Sequence, residues 1–185
     1  MSSAEHWIRQ LRLQKHPEGG YYRETYRSAE SIPTDGLPPR FPGARPFATA
    51  IYFLLQAPEF SAFHRIKSDE IWHFYYGGAL LLHILQPEGD LTTTKLGGPE
   101  GVFQAIAPAG CWFAAELAAP DPHALVGCTV APGFDFADFE LAKRDELSRL
   151  FPPHAPLIAR LTRSPSLSPA VVKARACLSR SVLTT

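Results

Sequence analysis

From Tyr21 to Ala131 the apolar positions come in short runs, each closed by glycine, proline or a polar cluster. Y-Y-R-E-T-Y-R (Tyr21–Arg27) alternates, with Tyr21, Arg23 and Thr25 on one face and Tyr22, Glu24 and Tyr26 on the other; the pattern does not say which face turns inward. A-T-A-I-Y-F-L-L (Ala48–Leu55) reads as a buried strand by its length and branching. A-L-L-L-H-I-L-Q, the turn Pro87–Asp90 and L-T-T-T-K-L form a hairpin. V-F-Q-A-I-A, C-W-F-A-A-E-L and A-L-V-G-C-T-V-A continue the series, with turns at Gly97–Gly101 and Pro108–Gly110. Many short strands with no helices between them predict an antiparallel sandwich or barrel.

Helical spacing is confined to the two ends of this region. Ser2 and Glu5 stand at capping-box distance, and Trp7, Ile8 and Leu11 share one helical face. Asp138 is placed to cap a second helix with Phe139, Ala142, Leu147 and Leu150 as its apolar stripe, stopped by Pro152 and Pro153. Between the first helix and the strands, H-P-E-G-G (His16–Gly20) imposes a turn. Ser28–Pro46 has the composition of a long irregular loop of the lid or binding-loop kind. Residues 1–151 therefore read as one β domain and 152–185 as a basic Pro/Ser-rich extension, within which V-V-K-A-R-A-C-L has room for two helical turns.

Composition narrows the partners. Eighteen basic residues balance eighteen acidic ones, so no global field attracts nucleic acid or an anionic membrane. No apolar run approaches a membrane span and the N-terminus lacks the order of a secretory signal, which reads as a cytoplasmic protein. Cys111, Cys128 and Cys177 are widely spaced and show no C-x-x-C pair, as expected of reduced, buried thiols.

The chemistry concentrates in S-A-F-H-R-I-K-S-D-E-I-W-H-F-Y-Y-G-G (Ser61–Gly78), which reads as two strands joined by a short polar loop. His64 lies late on the first and Glu70 opens the second, aimed at one cavity. Alternation puts Glu70, Trp72, Phe74 and Tyr76 on one face and His73 on the other. An imidazole beside a positioned carboxylate is an acid–base pair, and His64 and Glu70 are the candidate catalytic residues. Arg23, Trp72, Phe74, Tyr76 and Phe113 are the candidate ligand-binding residues. Tyr22, Tyr52 or Tyr76 could donate from the opposite side, and His16, Glu18, His73 or His83 could complete a different site.

The spacing His64, Ile66, Glu70, Gly77 resembles the first cupin motif, in which two histidines and a glutamate bind a metal; Ile66 stands where the second histidine would be. P-A-G-C-W-F (Pro108–Phe113) resembles the second motif, with Phe113 in place of its histidine and Leu117 in place of the usual asparagine. The segments H-P-E-G-G-Y-Y-R-E-T-Y-R-S, F-H-R-I-K-S-D-E-I-W-H-F-Y-Y-G, A-P-A-G-C-W-F-A-A and L-V-G-C-T-V-A-P-G-F-D-F-A-D-F are similar to those of a small cupin family, domain of unknown function 985. The resemblance implies a mainly β, cupin-like double-stranded jelly-roll barrel with a short N-terminal and a C-terminal helix, and a homodimer.

The function expected is the binding of a small polar molecule in the barrel, with metal-independent isomerase or epimerase chemistry. The alternatives are a metal-dependent cupin enzyme of the dioxygenase type with nonstandard ligands and a non-catalytic binding or interaction protein. If a divalent metal is the cofactor, the matched ligands are only His64 and Glu70, short of the three or four such a site normally uses.

Overall fold

The computed structural model describes residues 3–118 and 123–163. The expectations placed on Ser2 and on the segment holding Cys177 lie outside the described residues. In chain order the strands are β1 (Gln14–Lys15), β2 (Tyr21–Arg27), β3 (Ser31–Ile32), β4 (Arg45–Pro46), β5 (Thr49–Gln56), β6 (Ser61–Arg65), β7 (Asp69–Gly77), β8 (Leu80–Leu85), β9 (Leu91–Leu96), β10 (Gln104–Ala107), β11 (Trp112–Leu117), β12 (His123–Ala131) and β13 (Glu140–Leu141). The helices are α1 (Ala4–Gln10), α2 (Arg144–Leu150) and α3 (Ala155–Arg160). One sheet runs β1-β2-β5-β12-β7-β10 and a second runs β13-β6-β11-β8-β9, facing each other as a two-sheet jelly roll. The predicted hairpin is β8–β9, in register from Leu80 opposite Leu96 to Leu85 opposite Leu91.

Alternation explains why β5 reads as continuously apolar. Phe53 and Leu55 enter the layer between the sheets, where they meet Trp72, Leu82, Phe113 and Val126. Leu54 points the other way, onto α1, with Leu13, Leu125 and the flanking Trp7 and Ile8. Both faces of the strand are covered, so both parities are hydrophobic. The outer face of the second sheet is covered in the same way, Phe63, Leu85 and Trp112 packing beneath Leu147, Phe151, Ile158 and Leu161. The chain beyond Pro152 thus contributes α3 to this flank, with Ile158 and Leu161 buried.

Three local readings are corrected. The cap of α1 is Ser3, whose hydroxyl accepts from the His6 amide, one residue after the position the capping-box spacing picks out. Asp138 caps no helix: Lys143 precedes α2, and Asp138 is buried in a two-pronged ion pair with Arg45, at 2.6 and 2.7 Å. That pair also accounts for the loop 28–46. Instead of lying free, it is tied down by Arg45 and by buried Phe41, and it forms the short β3–β4 ladder. An aspartate before an apolar stripe looks the same whether it meets helical amides or a distant guanidinium, so only the fold separates the two.

Among the described residues no helix is long and apolar enough to cross a membrane. Cys111 and Cys128 are buried free thiols.

Candidate functional site

The site begins at the H-P-E-G-G turn. Gly19 and Gly20 have φ of +117° and +72°, a backbone region that other residues enter at a cost. A Cβ on Gly19 would lie 2.2 Å from the Phe60 carbonyl oxygen, and one on Gly20 2.7 Å from that of Leu54. These close approaches press the turn against β5 and the start of β6. The Ala62 amide donates to the Glu18 carbonyl at 2.9 Å, Arg163 donates to the same carbonyl at 3.1 Å, and the Gly20 amide donates to Glu59. The turn is held at both ends, and the Glu18 side chain is buried.

Three groups converge on that carboxylate. Ser61 Oγ donates to Glu18 Oε1 at 2.7 Å, while His64 Nε2 lies 3.1 Å and His16 Nδ1 3.3 Å from Oε2. Burial opposes its ionisation, but the neighbouring His64 and His16 and the bonds from His16 and Ser61 overcome this and hold the carboxyl down to about 2. His64 is fixed from its far side. Its Nδ1 lies 2.7 Å from the Ala62 carbonyl oxygen, which can only accept, so Nδ1 carries the hydrogen. Burial draws the imidazole below its ordinary range, against the pull of Glu18. With Nδ1 donating to Ala62, Nε2 donates to the Glu18 carboxylate only when the ring is protonated, a state that burial opposes and Glu18 favours; both ring nitrogens face protein groups.

His16 has a different outlook. Its Nδ1 is within 3.3 Å of an acceptor, Glu18 Oε2, and 3.4 Å of a donor, the Glu18 amide, so both tautomers find a partner. Its Nε2 has no protein partner among the described residues. Around the ring stand Tyr22, Phe53, Phe136 and Phe139, with centroids 4.5 to 6.4 Å away. Tyr22, Phe136 and Phe139 are half-buried, so they form a rim above the buried carboxylate. A carboxylate on one imidazole nitrogen with the other left open is the arrangement that orients a histidine for proton transfer.

Glu70 sits across the interior on β7, between Val130 of β12 and Ala107 of β10. Burial and then the negative charge of Glu18 push it up to about 8, opposed by a hydrogen bond with the Cys128 thiol. The thiol is raised well above its ordinary range by burial and by Glu70. At neutral pH the interior thus holds one ionised carboxylate and one carboxylic acid. The carboxylate paired with His64 is Glu18 and not Glu70, which corrects the pairing expected from the sequence.

Of the other expected site residues, Trp72 and Phe113 lie fully buried in the interior, and the His64 and Phe113 ring centroids are 4.1 Å apart. Phe74 packs against the same cluster from a half-buried position. Tyr76 does not join them. Phe74 pairs with Val126 and Tyr76 with Leu125, leaving Tyr75 as an extra residue, and this bulge turns Tyr76 onto the outer face against Trp7. Arg23 is also outside. Tyr22 takes the inward parity of β2, so Arg23 lies with Tyr21 on the α1 side, its guanidinium 5.9 Å from the centre of the Tyr52 ring. Tyr52 shares that outer face. His73 faces away as alternation predicts, bonded to Thr129 and Gln104. His83 is taken up by Thr93 and Glu116.

A divalent metal does not fit these residues. Ile66 and Phe113 occupy positions where the cupin motifs place histidines, and both pack in the apolar interior. His16 and His64 both turn a ring nitrogen onto Glu18 Oε2 itself, at 3.3 and 3.1 Å. Among the described residues no group of three or more His, Cys, Asp or Glu side chains is placed to hold a metal ion.

Two facing antiparallel sheets, with acid and imidazole groups inside and helices outside, define a cupin-type jelly roll. The chain belongs to the cupin superfamily family DUF985, whose model matches residues 5–142. It is 31% identical over 166 residues to the uncharacterized protein YML079W of Saccharomyces cerevisiae, covering 82% of each chain. Among solved structures it is similar to protein SO0799 of Shewanella oneidensis, at 38% identity and a TM-score of 0.79, covering 88% of this chain and 99% of that one. It is also similar to a hypothetical protein from Leishmania major, at 32% identity and a TM-score of 0.80, covering 88% and 100%.

Proposed function

We propose that this protein binds a small polar molecule at the aromatic rim and performs metal-independent proton transfer on it, of the isomerase or epimerase type. The observation that carries the reading is Glu18 Oε2, 3.3 Å from His16 Nδ1 and 3.1 Å from His64 Nε2, with His16 Nε2 open beneath the rim. In this reading His16 takes and returns the proton. Glu18 orients it and stabilises the imidazolium that forms, and His64 and Ser61 hold Glu18. Glu70, a carboxylic acid at neutral pH, supplies a proton from β7. Two carboxyls driven to opposite protonation states at one pH are the usual mark of divided acid and base roles.

The test is washing-in of solvent deuterium. The protein is incubated in D2O with a panel of small hydroxy-ketones, aldoses and hydroxy acids, and products are read by mass spectrometry for a single added mass unit. Exchange is expected with wild type, falling about 100-fold or more in His16→Gln and in Glu70→Gln. Exchange that survives His16→Gln would overturn the assignment. A panel member that binds at the rim without any exchange would instead make the protein a binding protein.

A further inference from the structure

A second concavity, of about 380 Å3, lies where β6 runs into the β6–β7 turn, and its lining includes Arg40, Arg65, Lys67, Ile66, Ala109 and Gly110. It draws on several segments that meet only in the fold: the loop 28–46, the end of β6 and the turn after it, the Pro108–Gly110 turn, and the stretch carrying Asp138 and Glu140. The carboxylates there are already matched. Asp138 receives both prongs of the Arg45 guanidinium, and Glu140 receives Arg65 at 2.7 to 2.8 Å. Lys67 Nζ stands 3.7 Å from an Asp138 oxygen that Arg45 already occupies. The concavity therefore faces one cation, Arg40, with no carboxylate partner among the described residues, and a second, Lys67, that shares Asp138 with Arg45.

The arrangement also orders Arg40. Its Nε donates to the Lys67 carbonyl at 2.8 Å, and the guanidinium lies 4.9 Å from the centre of the Phe41 ring. One edge is held and one face is covered, which leaves the two terminal nitrogens as a fork of donors fixed before any ligand arrives. The wall behind it is uncharged: Ile66, Ala109 and the backbone of Gly110, where a Cβ would meet nothing within 4 Å. A planar fork, a mobile ammonium and an open apolar wall are what a small oxyanion with a compact apolar body requires. The volume falls within the usual span of small-molecule pockets, about 300–1,000 Å3.

We infer that Arg40 and Lys67 form a binding site for a small oxyanion, a carboxylate or phosphate, separate from the Glu18 site and not needed for the proton-transfer reading above. The test titrates the full-length, isotope-labelled protein with inorganic phosphate and, in parallel, with acetate, following the backbone amides of Lys67, Ala109 and Gly110. Saturable shifts are expected, weakened by added sodium chloride and about tenfold or more weaker in Arg40→Ala and in Lys67→Ala. Lys143→Ala, which removes an exposed lysine paired with Glu146, is expected to leave them unchanged. Undisturbed amide dispersion elsewhere shows that each variant is folded. Shifts that grow without saturating, or that saturate equally in Arg40→Ala and Lys67→Ala, would overturn the site. If phosphate saturates and acetate does not, the ligand carries a phosphate; the reverse result selects a carboxylate.

Discussion

Two buried carboxyls share the space between the sheets and behave oppositely. Glu18 comes in on a turn and meets two imidazoles and a hydroxyl; Glu70 comes in on the middle of a sheet and meets a thiol and apolar side chains. Both lose their hydration. Glu18 receives two imidazoles and a hydroxyl in return and stays ionised to about 2, while Glu70 receives one weak thiol donor and the repulsion of Glu18 and keeps its proton up to about 8. The negative charge of Glu18 is itself one cause of the Glu70 shift, so the two states are coupled. Partners, not depth, decide the protonation of a buried acid.

Three substitutions would break or sharpen this contrast. Glu18→Ala removes the acceptor that three buried groups share and is expected to cost the most, about 3–5 kcal/mol in chemical denaturation at pH 7. It also separates the pair by pH. A carboxyl held below its ordinary value stabilises the fold above about pH 4.5, and that contribution is lost as pH falls toward 2. Wild type should therefore lose about 3 kcal/mol across this window, and the variant should lack that part of the acid limb. An unchanged limb would mean that Glu18 is not the group responsible.

Glu70→Gln has the opposite sign. A carboxyl whose pKa is raised favours the fold in its protonated form, an advantage complete below about pH 4.5 and lost as pH rises through about 8. The amide has no proton to lose, so the variant should match wild type near pH 4 and exceed it by about 3 kcal/mol at pH 7 and about 4 kcal/mol at pH 8. A constant difference across pH would show that packing, not titration, separates them. Smallest is Ser61→Ala, which removes one donor to Glu18 and is expected to cost about 1 kcal/mol, with the acid limb moved to higher pH. A stability loss with no movement of the limb would take Ser61 out of the Glu18 network.

Much of the fold was legible in the chain. Short alternating runs with turn residues between them allow little but antiparallel strands, and the H-P-E-G-G and F-H-R-I-K-S-D-E-I-W segments carry the family on their face. His64 and Glu70 were legible as interior residues because strand parity and burial travel together. Their pairing was not. Glu18 and His16 lie in a turn, where no period tells which side chain enters the core, and the decisive signal was the pair of glycines that lets the turn approach β5 and β6 so closely. Tyr76 was misplaced for a related reason: alternation holds only while the ladder is regular, and the extra residue Tyr75 shifts everything after it by one face.

By itself, then, the sequence determined the class of fold, the positions of most strands and the fact that a histidine and an acid stand inside. It could do so because period, turn chemistry and local sterics are properties of neighbouring residues. The tertiary structure decided which acid meets which histidine, which face of β2 looks inward, that Asp138 binds Arg45 instead of a helix end, and that Arg40 and Lys67 share an open concavity. Those outcomes depend on through-space contacts between residues far apart in the chain, among them Glu18 with Ser61 and Arg45 with Asp138. Electrostatic partnership falls off with distance in space and takes no account of separation in sequence.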